Sequence, residues 1–63
     1  MQISIKAARA NKNLTQSELA KALNVTKKTI WAWEKGKATP RLNKIEPLCK
    51  ILGVTYDSIK WNA

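Results

Sequence analysis

Lys27, Lys28, Trp31 and Ala32 share one side of a short helical stretch, opposite Ile30 and Trp33. Ammonium groups beside an indole make no acid–base or nucleophilic set. What they offer is recognition: lysine donates to phosphate oxygens and to guanine O6 and N7, and so can contact base edges. An indole has a donor and no acceptor, so it packs on a thymine methyl or a sugar. Thr26 precedes this stretch; Lys35, Lys37, Thr39 and Arg41 follow it. They are candidates for phosphate contacts flanking the same surface. No histidine, a single cysteine and four dispersed acids leave no credible catalytic set, so the chain is expected to be no enzyme. The same inventory predicts no metal site, no disulfide and no cofactor.

The charge balance points the same way. Twelve Lys and Arg residues oppose four acids, a net charge of +8 on 63 residues. So strong a bias in a small domain implies a polyanionic partner. A membrane surface would require a long apolar face on a basic helix, or a lipidation signal, and neither occurs. No apolar run approaches the ~18 residues of a membrane span, and the start of the chain has no signal-peptide core. No small-molecule ligand is implied. Free Cys49, on a helical apolar stripe, is expected in the core and fits a cytoplasmic protein. The length predicts one domain over residues 1–63, with a small core and no staple.

The elements that hold these residues are predicted to be five short helices. The first spans about Ser4 to Lys12, and Asn13 supplies a left-handed end. Thr15 and Glu18 form a capping box for a second helix, Gln16 to Leu23. Asn24 makes the next left-handed turn, and Thr26 caps a third helix, Lys27 to about Lys35, ended by Gly36. The second and third helices make a helix-turn-helix, whose outward face enters a DNA major groove. Asn43-x-x-Glu46 predicts a fourth helix from near Lys44, which keeps Pro47 in the first turn, and Gly53 ends it. Thr55 caps a fifth, through about Lys60. The predicted core is Ile5, Ala8, Leu14, Leu19, Ala20, Leu23, Val25, Ile30, Trp33, Ile45, Leu48, Leu52, Val54 and Ile59.

The run LTQSELAKALNVTKKTIWAWEKGKATP, an apolar helix and then LGVTYDSI resemble the Cro/C1-type (XRE-like) helix-turn-helix family of phage repressors. The resemblance covers about Ile5 to Ile59. It rests on Gln16 opening helix two, Ala20 at the helix crossing, the Trp-Glu-x-Gly end of helix three and the Leu-Gly-Val close. Asn24 stands where the family typically has glycine. The resemblance implies an all-α, lambda-repressor-like five-helix domain. It also implies a salt bridge between Arg9 and Glu34, and a phosphate contact from Gln16 at its helix N-terminus.

The function expected is sequence-specific binding of double-stranded DNA by a transcriptional regulator, a repressor or Cro-like protein of phage or mobile-element origin. A homodimer on a palindromic operator is expected, because one short helix reads too few base pairs for a genomic address. Tyr56 and Trp61 serve either that dimer or simple packing over the core. The alternative is an antitoxin-type or other protein-interaction module with secondary DNA binding.

Overall fold

A computed structural model describes residues 2–61. It has four α-helices, α1 (Ile5–Asn11), α2 (Gln16–Leu23), α3 (Lys27–Glu34) and α4 (Leu42–Leu52), then one 3-10 turn, Tyr56–Ser58. Side-chain caps start three of them. Ser4 Oγ accepts from Ala7 N at 3.0 Å, and Thr26 Oγ1 from Thr29 N at 3.2 Å. Thr15 Oγ1 accepts from Glu18 N at 3.0 Å while Glu18 Oε1 accepts from Thr15 N at 2.8 Å, closing the capping box. These bonds, the backbone one first, hold the Glu18 carboxyl below its ordinary pKa. The box therefore stabilises the fold above the ordinary carboxylate range, and that contribution is lost as pH falls through the lowered value.

Asn13 and Asn24 both adopt the left-handed conformation, each with φ 58°. Asn24 so places Val25 N 2.9 Å from Ala20 O, which closes the end of α2 and turns the chain into α3. Gly53, at φ +67°, ends α4 in the same way, and the Lys12 side chain lies where a Cβ would project.

Helix α4 departs from expectation. It begins at Leu42 rather than near Lys44; Arg41 is its N-cap without a side-chain bond, and Asn43 is already helical. Three hydrogen bonds draw the start forward. Arg41 O accepts from Lys44 N (2.8 Å) and Ile45 N (3.2 Å), and Lys44 Nζ donates to Leu23 O at 2.7 Å, tying this first turn to the end of α2. Pro47 consequently stands inside the helix. Pro47 and Asn43 are both exposed, so the carbonyl that loses its N–H partner is on the solvent side.

The predicted fifth helix is absent, so the α-helices among the described residues number four. Tyr56–Ser58 makes a single 3-10 turn, the Thr55 hydroxyl bonds Ser58 Oγ (2.7 Å), and Ile59 is extended. Ile59 pairs in parallel with Ile3, through Ile3 N to Ser58 O (2.9 Å) and Lys60 N to Ile3 O (2.8 Å). A one-turn helix has a costly nucleus, and a distant backbone partner replaces it.

The core is formed by Ile5, Ala8, Leu19, Ala20, Leu23, Ile30, Trp33, Leu48, Leu52 and Ile59. Leu14, Val25, Ile45 and Val54, also predicted there, are half-buried, while Pro40 is buried. Cys49 too is half-buried, and burial pushes its thiol pKa up, which keeps the nucleophilic thiolate scarce. Among the described residues no helix is long and apolar enough to cross a membrane.

Candidate nucleic-acid interface

Burial sets the rotation of α3. Ile30 is fully buried and Trp33 nearly so. At ~100° per residue, this turns Lys27, Lys28 and Trp31 to solvent, with Ala32 half-buried beside them. On the inner side α3 packs mainly on α2, where buried Ala20 allows close approach. The four candidate base-contact residues thus lie together on one face.

A polar network holds the other end of α3. Arg9 Nε donates to Glu34 Oε2 at 2.7 Å and Arg9 Nη1 to Leu14 O at 2.7 Å. Gln16 Nε2 donates to Glu34 Oε1 at 2.9 Å. The Glu34 side chain is only 3% exposed and that of Arg9 14%. One carboxylate therefore joins α1, the start of α2 and the end of α3. The Gln16 amide, expected at a phosphate, is held on Glu34 through one of its hydrogens; its carbonyl and second hydrogen stay available.

The flanking candidates separate into two sets. Lys27 and Gln16 line a groove of about 540 Å³ with Arg9, Asn13, Thr15 and Ser17, and no acid lines it. In a second groove, of about 380 Å³, Thr39 and Arg41 lie with Thr29, Asn43 and Lys44. Lys35, the C-cap of α3, and Lys37 are exposed and line neither groove. The Thr26 hydroxyl is engaged as the α3 cap and lies 2.9 Å from Thr29 Oγ1.

Sequence reasoning did not single out Ser17, Thr29 or Lys44. Ser17 sits in the first turn of α2, where backbone N–H groups lack helical partners; counting those donors would have marked it. Nothing in local sequence marks Lys44, whose partner on α2 is brought to it only by folding.

A family profile described as helix-turn-helix matches residues 5–59. The chain is 44% identical over 59 residues to an uncharacterized HTH-type transcriptional regulator of Methanocaldococcus jannaschii, covering 94% of this chain and 89% of that one. It is 39% identical over 51 residues to the HTH-type transcriptional activator BcrR of Enterococcus faecalis, covering 81% of this chain and 25% of BcrR. It is 40% identical over 50 residues to the cryptic phage CTXphi transcriptional repressor RstR of Vibrio cholerae, covering 79% of this chain and 45% of RstR. No solved structure matches. With a profile match that runs from α1 to Ile59 and a cationic third helix turned outward from the core, the chain belongs to the Cro/C1-type (XRE-like) helix-turn-helix family of DNA-binding transcription regulators.

Proposed function

We propose that this protein is a cytoplasmic repressor of phage or mobile-element origin, whose helix-turn-helix domain binds a two-fold symmetric operator as a homodimer. The observation that carries the reading is the outward face of α3, where Lys27, Lys28 and Trp31 are exposed while Ile30, Trp33 and Glu34 fix the helix from behind. The likeness to RstR supports a repressor, since that relative is itself a phage transcriptional repressor.

The dimer reading rests on a groove along α4. Leu42, Ile45, Glu46, Cys49 and Tyr56 line a groove of about 390 Å³ in which no Lys or Arg takes part. Leu42 is 88% exposed beside it. In a chain of net charge +8 this is where a second copy meets the least repulsion, and Leu42 of each copy can enter the groove of the other. Trp61 belongs to packing instead: it is half-buried, stacks on Tyr56 at 5.2 Å and donates to Tyr56 O at 3.0 Å. Selection of duplexes from a random pool tests the whole reading. The expected product has two-fold symmetry, with half-sites about one helical turn, ~34 Å, apart. A single asymmetric half-site at saturating protein contradicts the dimer.

Within α3 the roles divide by position. Lys28 projects from the N-terminal half, which in this motif reaches base edges; Lys35 is the C-cap at the other end, where a phosphate contact is expected. Lys28→Ala is expected to cost about 1–3 kcal/mol on the selected site and relax one base position. Lys35→Ala is expected to weaken selected and scrambled duplexes alike and to reduce the salt slope by about one. Affinities of both variants on both duplexes check this; the reverse pattern means that α3 docks the other way round.

A further inference from the structure

Phosphate contacts give no work to the indole of Trp31. Among the described residues the exposed large apolar side chains are Trp31, at 39%, Leu42 and Tyr56. Leu42 and Tyr56 line the groove on α4, whereas Trp31 stands on α3. Buried Ile30 and Trp33 fix its direction, and exposed Lys27 and Lys35 stand one turn to either side of it. The indole thus lies between two cations on the exposed helix face, at the centre of any contact that face makes with a duplex. Small, half-buried Ala32 beside it leaves room for that approach.

A major groove offers one apolar group, the C5 methyl of thymine, and next to it thymine carries the acceptor O4. An indole presents an apolar edge and a single N–H donor. Cytosine offers an amino donor in place of O4 and no methyl; guanine offers acceptors and no methyl. Thymine is therefore the base whose edge answers both parts of the indole. We propose that Trp31 is a specificity-determining residue that reads the 5-methyl group of a thymine in each half-site. The proposal rests on the DNA-binding function given above.

The test uses a duplex enriched from a random pool, with each thymine replaced in turn by deoxyuridine, which removes the methyl and leaves base pairing and O4 intact. At one thymine of the half-site, affinity is expected to fall about fourfold, the conversion of ~0.8 kcal/mol for one buried methyl. With Trp31→Ala protein the same replacement is expected to change affinity by less than about twofold; that variant removes no core side chain, and its melting curve checks the fold. The proposal is overturned if no deoxyuridine position has an effect on the wild-type protein, or if Trp31→Ala keeps the full penalty. Enrichment of no duplex at low salt defeats the DNA-binding function itself, and the proposal with it. A duplex that is bound but indifferent to deoxyuridine defeats the proposal alone.

Discussion

Raising salt from about 50 to 200 mM is expected to weaken operator binding by about four orders of magnitude. In the proposed complex the contacts come from exposed lysines and an arginine on and just after α3, and each phosphate they neutralise releases counterions. In the proposed complex Lys35, Lys37 and Arg41, with one further cation beside α3, would neutralise about four phosphates per protomer, hence about eight in the proposed dimer. At ~0.9 per phosphate on B-DNA the log–log slope is near −7. The measurement is a series of binding isotherms on one duplex across that salt range. A slope shallower than about −2 on a specific site means that these cations do not face the backbone.

Glu34→Ala is expected to destabilise the protein by about 3 kcal/mol, because removing one partner of a largely desolvated pair leaves the other charge unpaired. For a domain of this size that is a fall in Tm of roughly 12–24 °C. Arg9 loses its carboxylate and Gln16 its acceptor in the same step, with the Arg9 side chain only 14% exposed. The intact pair need not be strongly stabilising against apolar replacements, since desolvating two charges offsets most of their attraction. Its value lies in fixing how α3 meets α1 and α2. The exposed Glu46 is the control, and Glu46→Ala should change stability by less than about 0.5 kcal/mol. Thermal melts of the two variants decide the matter: a shift below about 4 °C for Glu34→Ala excludes a bracing role.

The helix-turn-helix was legible in the sequence because its determinants are local. Thr15 with Glu18, Thr26 and Asn24 act within a turn of their own positions, through caps and a left-handed φ that hardly depend on the rest of the fold. The same holds for the face of α3, where a 3.6-residue period separates Ile30 and Trp33 from Lys27, Lys28 and Trp31 whatever α3 packs on.

What tertiary structure decided lies where distant segments compete with local preference. The run after Thr55 has a helical cap signal, yet Ile3, more than fifty residues earlier, takes the backbone partners of Ser58 and Lys60 and draws Ile59 into an extended bridge. Asn43 and Pro47 argue locally for a later start to α4, but Lys44 reaches the Leu23 carbonyl and fixes an earlier one. Gln16 has the chemistry of a phosphate ligand, and only the folded arrangement brings Glu34 within 2.9 Å of its amide. Caps and periodicity act over about one turn of chain, so residue order alone carries them. A hydrogen bond between segments far apart in sequence exists only once the core has closed and the loop entropy has been spent, so its partner is chosen by the fold as a whole.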